Sequence, residues 1–181
     1  MSSDPHPPPE PVTGFIQAYP GRGWCALHTR GRHEKKVAGV CEGLRVPCYL
    51  PLRVHRTVSG GKVNTFHLPM FPGYVFAAVS ATDWLPLKRT NSVADRIEAR
   101  DEAGLLRDLQ NVFTVERAQV DLATATTLNR GQKVIVTSGP LAGVTGTVLR
   151  YKNRTRLQVV IEAIGQAVVL DVDRDAVVPV V

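Results

Sequence analysis

The stretch Leu68–Phe76, reading Leu-Pro-Met-Phe-Pro-Gly-Tyr-Val-Phe, limits what this chain can build more than any other. It is apolar and aromatic, as a buried strand would be, yet Pro69, Pro72 and Gly73 interrupt it. Proline cannot donate to a ladder, so within sheets it sits at edges, strand starts or bulges. The sequence therefore predicts a strand ending near Leu68, a Pro/Gly kink, and a fresh strand over Tyr74–Val79. Two readings of the kink stay open: a bulged core strand, or a bend that aims large side chains out of the sheet.

The flanks narrow the choice. Upstream, Trp24–Thr29 is a short apolar run after Gly21 and Gly23, a buried first strand. Arg30-Gly31-Arg32-His33 is a basic turn, and Val37, Val40, Cys41 and Leu44 then recur with the spacing of an amphipathic helix over Glu34–Val46. Pro47 stops it. Cys48–Val58 and Val63–Leu68 form a hairpin around Ser59-Gly60-Gly61-Lys62, where paired glycines supply the positive φ of a two-residue connection. Downstream, Thr82 is placed as the N-cap of a short helix over Asp83–Arg89 that contains Pro86. Val93–Ala99 is a strand. Glu102–Val115, with Leu105, Leu109, Val112 and Phe113 in register, is the clearest helix. This order is α+β: a ferredoxin-like split βαβ arrangement with one helix appended. The expectation is an antiparallel sheet with helices on one face, leaving part of the remaining surface free.

Residues 1–20 form a proline-rich tail, read as disordered and partly polyproline II, and 21–117 hold the α+β unit. Periodicity is lost over 118–129, an Ala/Thr-rich linker. Residues 130–181 then carry short β segments with turn signals at Ser138-Gly139-Pro140, Gly146, Lys152-Asn153 and Gly165-Gln166, which suits a small five-stranded barrel.

Charge is unevenly spread. The chain has a formal charge of +6, but Arg22 to His67 alone holds nine Lys/Arg against Glu34 and Glu42, which favours a polyanionic partner. No apolar run approaches the ~20 residues of a membrane helix, and the first residues lack a secretory signal's apolar centre. Three cysteines, Cys25, Cys41 and Cys48, are too few and too odd in number for a disulfide framework. The expected location is the cytoplasm, off the membrane, as a monomer. Cys25, His28, His33, Cys41 and Cys48 lack the paired spacing of a zinc site, so no metal or other cofactor is expected. No nucleophile triad, phosphate loop or carboxylate pair points to an enzyme.

Trp24, Glu34-Lys35-Lys36, Tyr49-Leu50-Pro51 and Phe71-Pro72-Gly73-Tyr74-Val75-Phe76 together resemble the N-terminal (NGN) domain of NusG-type transcription elongation factors. Gly139-Pro140-Leu141-Ala142-Gly143 followed by Gly146-Thr147-Val148 is similar to the KOW motif of their SH3-like C-terminal barrel. Two departures, Thr90-Asn91-Ser92-Val93 before the fourth strand and Leu141 in the KOW loop, resemble specialised paralogues. Those are antiterminators of long operons, RfaH and polysaccharide-locus regulators among them.

The resemblance implies docking on the clamp helices of the largest RNA polymerase subunits, with suppression of pausing and termination. Pro69, Phe71, Pro72, Gly73, Tyr74 and Phe76 would be the polymerase contact. Contact with the non-template DNA strand is assigned to Arg30, Arg32, His33, Lys88, Arg89, Thr90 and Asn91: the cations attract phosphate, and Asn and Thr can read base edges. The barrel would recruit Rho or a small-subunit ribosomal protein through Leu141 and Val144 at the KOW loop tip, or pack on the first domain and hide the polymerase site. The alternative is a ribosome-associated or rRNA-binding protein that uses the barrel and its charged segment Arg150–Arg156.

Overall fold

Strand β5 (Tyr74–Val79) lies between β1 (Gly23–Thr29) and β2 (Cys48–Tyr49), and β6 (Val93–Glu98) pairs with the far side of β1, all antiparallel. The order β2-β5-β1-β6 is that of the split βαβ arrangement. The computed structural model describes residues 16–120, 122–125, 131–151 and 154–180. The first fifteen residues of the proline-rich segment, residues 121 and 126–129 of the linker, and residue 130 lie outside the described residues.

Successive residues of β5 and β1 point to opposite faces. Cys25, Leu27, Val75, Ala77 and Val79 face α1 (Glu34–Gly43) and α2 (Ala81–Arg89), whose Val37, Cys41 and Leu87 complete one core. Trp24, Ala26, Phe76 and Ala78 face α3 (Glu102–Ala118), through Leu105, Leu109, Val112 and Val115. The sheet is therefore covered on both sides. The expectation of helices on a single face is corrected: the appended helix closes the second one.

Local boundaries differ for identifiable reasons. Helix α1 stops at Gly43 because Arg45 takes a left-handed conformation (φ 56°) ahead of Pro47. Ser80, not Thr82, caps α2: its side chain accepts from the Asp83 N–H while the Asp83 carboxylate accepts from the Ser80 N–H. Asp101 caps α3 by accepting from Gly104 N–H. The strand expected over Cys48–Val58 breaks at Leu50-Pro51, so β2 stays in the main sheet. β3 (Leu52–Ser59) leaves it and, among the described residues, pairs only with β4 (Lys62–Pro69).

The second unit is an antiparallel sheet ordered β12-β8-β9-β10-β11-β7. β8 (Gln132–Val136), β9 (Thr145–Tyr151), β10 (Arg154–Ile161), β11 (Gln166–Val172) and β12 (Val177–Pro179) are the five strands of the expected small barrel. The sixth, β7 (Ala123–Ala125), comes from the segment read as linker and pairs with Ala167–Val169 of β11. Gly146 is obligatory here, since a Cβ would sit 2.5 Å from the Gln158 carbonyl oxygen.

This unit packs on α3, and its core is continuous with that beneath the helix. Two polar contacts fix the approach. Asn111 donates to Thr145 Oγ1 (2.9 Å) and accepts from Thr145 N–H (3.3 Å). Asp108 accepts from the Glu162 N–H (3.1 Å). Burial pushes the Asp108 carboxyl up to about 6; the Glu162 N–H and Arg107 oppose the shift, and Glu162 and Asp101 add to it. A raised acid pKa in the packed state means that state binds the proton more tightly, so packing strengthens at low pH and weakens as pH rises through about 4 to 6. We expect interdomain NMR contacts at Asn111–Thr145 to strengthen from pH 7 to pH 5. Asp108→Asn, which keeps an acceptor but does not titrate, should flatten that dependence.

Candidate functional site

Phe71-Pro72-Gly73-Tyr74 is a β-turn closed by the Tyr74 N–H on the Phe71 carbonyl (3.1 Å). Proline in its second place and Gly73 at φ +86° in its third are the type II pattern, which only glycine fills without strain. Three other segments hold it. Thr29 N–H donates to the Gly73 carbonyl (2.8 Å), Met70 N–H to the Pro51 carbonyl (2.8 Å), and Gly73 N–H to Glu34 Oε1 (2.7 Å). Glu34 is buried in the first turn of α1, where the helix dipole also favours its charge.

The aromatics divide. Phe71 and Phe76 are 1% and 0% exposed and meet edge-on at 6.2 Å, so the turn holds them inside rather than aiming them outward. The even residues of β5 face α3, which is why the expected open aromatic face is covered. Tyr74, at the rim of that face, is half-buried and stacks on His28 at 5.1 Å. Pro72 is exposed; Pro69 and Gly73 are half-buried. Glu116 of α3 secures the neighbouring chain by accepting from Tyr49 O–H (2.6 Å) and Leu52 N–H (2.8 Å). Burial raises its pKa, and both bonds oppose the rise. Sequence reasoning missed Glu34, Glu116 and His28 as parts of this site. Glu34 stands in a quoted motif, but its partner is 39 residues away.

At the same end of the sheet, Arg30 N–H donates to the Ser92 carbonyl (2.9 Å). That bond joins the turn after β1 to the loop after α2, bringing Arg30 and Arg32 beside the segment Lys88–Asn91. Arg30, Arg32, Lys88, Arg89 and Asn91 are exposed. Arg32 (φ 62°) and Asn91 (φ 55°) both adopt the left-handed conformation. Thr90 is half-buried, and its hydroxyl donates to the Leu87 carbonyl (2.7 Å), so it finishes the helix and does not point outward. His33 is half-buried, with Nδ1 buried and unbonded.

In the barrel, Leu141 (7% exposed) and Val144 are buried in its core, not displayed at a loop tip. The bonds Gly143 N–H to Val136 carbonyl and Val144 N–H to Leu141 carbonyl fold the loop back on β8. Gly139, Pro140, Ala142 and Gly143 are its exposed part. Of the charged segment, residues 152–153 lie outside the described residues, and Arg156 pairs with Asp171 (3.2 Å). Among the described residues the cysteines are free thiols, and burial pushes Cys25 up to about 11. Among those residues, too, no His/Cys/Asp/Glu group could hold a metal ion, and no helix is long and apolar enough to cross a membrane.

A family model described as "Transcription termination factor nusG" matches residues 22–117. No curated protein matches the chain. Among solved structures, "Domain interaction in Thermotoga maritima NusG" is 15% identical, with 88% of this chain and 98% of that one covered at a TM-score of 0.49. "Crystal Structure of MjSpt4:Spt5 complex conformation B" is 17% identical, with 87% and 96% covered at a TM-score of 0.30.

The brace predicts its own failure. Glu34→Ala leaves the Gly73 N–H without its partner and should lower stability by about 1–3 kcal/mol. Gly73→Ala forces a side chain into the left-handed region, for a loss of roughly 1–2 kcal/mol. Urea denaturation measures both, and unchanged midpoints would refute the brace.

Proposed function

The chain belongs to the NusG family of transcription elongation factors, and from that membership we propose that it docks on RNA polymerase with the end of the sheet that carries the Phe71–Tyr74 turn. The occupant is the clamp helices of the largest subunits. The observation that carries this reading is the bracing of the turn by Glu34, Thr29 and Pro51, which leaves Pro72 exposed and Tyr74 at the rim. A rigid aromatic anchor loses little entropy on binding. Phe71 and Phe76 act from beneath as its floor, and Pro69 and Gly73 set the path of the chain.

Beside the anchor, Arg30, Arg32, Lys88 and Arg89 attract the phosphates of the non-template DNA strand, and Asn91 and His33 contact its bases. Thr90 shapes the loop. Engaging polymerase and strand together suppresses pausing and termination, in the manner of an operon-specific antiterminator acting in the cytoplasm as a monomer. The barrel recruits Rho or a small-subunit ribosomal protein through the exposed Gly139–Gly143 loop, with Leu141 and Val144 as its support.

Tyr74→Ala should weaken polymerase binding at least about tenfold, a loss of roughly 1.4 kcal/mol, in a pull-down with the purified enzyme. Wild-type affinity would reject the dock. Phe71→Ser is no substitute, because emptying a buried Phe site lowers stability by about 3–5 kcal/mol. Arg89→Ala should reduce DNA crosslinking in an elongation complex while polymerase affinity holds. Transcription through a long operon with and without the protein then separates an antiterminator from a general factor by the gain in read-through.

A further inference from the structure

We propose that the β3–β4 hairpin is an arm that enters the major groove of duplex DNA. Its two strands, Leu52–Ser59 and Lys62–Pro69, form a sheet of their own and, among the described residues, pair with no other strand. An isolated two-stranded ribbon is marginal in water, so one this long needs anchorage. Its base has it, through Glu116 on Leu52 N–H and Pro51 on Met70 N–H. Its distal half does not: Val58 and Val63, next to the Gly60-Gly61 tip, are 74% and 65% exposed, and Phe66 is also exposed. That half is built to meet a partner.

Charge and shape identify the partner. From Gly43 through Thr82 there is no Asp or Glu, while Arg53, Arg56, Lys62, His55 and His67 all lie on the hairpin. A surface with only positive charge suits a polyanion. The register places Arg53, His55, Thr57, Lys62, Asn64 and Phe66 on one face. These are the side-chain types that pair with major-groove edges: Arg and Lys with guanine, Asn with adenine, Thr and Phe with the thymine methyl. The opposite face sets Leu52, Val54, Val58, Val63 and Pro69 beside Arg56, Thr65 and His67, three hydrogen-bonding side chains against six on the first. Eight residues per strand reach about 27 Å, and a two-stranded ribbon fits a groove about 12 Å wide. The deep, narrow major groove of A-form RNA would not admit it. The hairpin also leaves the sheet at the end where Arg30 and Lys88–Asn91 sit, since Tyr49 pairs with Phe76 and His28 with Tyr74. Duplex and single strand would thus be held by adjoining surfaces.

The test uses the full chain and a fluorescein-labelled 20-base-pair DNA duplex, followed by anisotropy between 50 and 200 mM salt. The double variant His55→Ala/Lys62→Ala, both exposed on the reading face, should bind roughly tenfold more weakly, with a log–log salt slope shallower by about 1. Asn64→Ala should lose discrimination between duplexes of different sequence without changing that slope. Unchanged affinity and slope in the double variant would overturn the proposal. So would a loss on single-stranded DNA of the same length but not on the duplex. A polymerase pull-down with the same variant keeps the two readings apart. Retained polymerase binding is expected, and its loss with normal duplex binding would make the hairpin a protein contact.

Discussion

Strand β5 is buried on both faces, and the rest of the molecule follows from what each face meets. Its odd residues, Val75, Ala77 and Val79, seat α1 and α2; Phe76 and Ala78 seat α3. A one-residue slip would exchange the two sets, putting aromatic rings where small side chains fit. The type II turn sets the register at the start of the strand, and Glu34 holds the turn. One carboxylate on the neighbouring helix therefore fixes both cores.

Helix α3 does two jobs with one set of residues. Its apolar stripe closes the sheet, while Asp108 and Asn111, on its other side, receive the barrel. Near its end Glu116 ties down Tyr49 and Leu52, where the hairpin departs. Anything that shifts α3 is thus felt at the barrel contact, at the aromatic floor and at the base of the hairpin.

Much of this was legible in the residues, and the failures share a cause. The periodicity of Leu105, Leu109 and Val112 announces a helix with a buried side, but it does not say which face of which sheet that side covers. The residues around Phe71 and Phe76 thus leave core and surface both open, and the family resemblance, which implies a contact surface, does not show that α3 covers them. Ser80 and Thr82 both qualify as caps by type, and only the reach of Asp83 back to Ser80 decides between them. Ala123–Ala125 is three small residues with no apolar alternation, so nothing in the sequence announces the edge strand that its ladder with β11 makes it. Leu141 follows glycine and proline in a turn, and nothing local shows that the loop folds back. By contrast, the pairing of the Arg30 turn with the loop before β6 follows directly from strand order, and strand order was readable.

The short strand Ala123–Ala125 also governs how far the barrel can travel. It belongs to the barrel's sheet, so the tether from α3 runs only from Ala118 to Ala123, five peptide steps spanning at most about 17 Å. A barrel that lets go of α3 with this strand in place can pivot but not roam. If the strand peels away, the leash runs from Ala118 to Gln132 and its limit rises to about 48 Å. Three residues of edge pairing thus act as a clutch on the distance at which the second unit can find a partner.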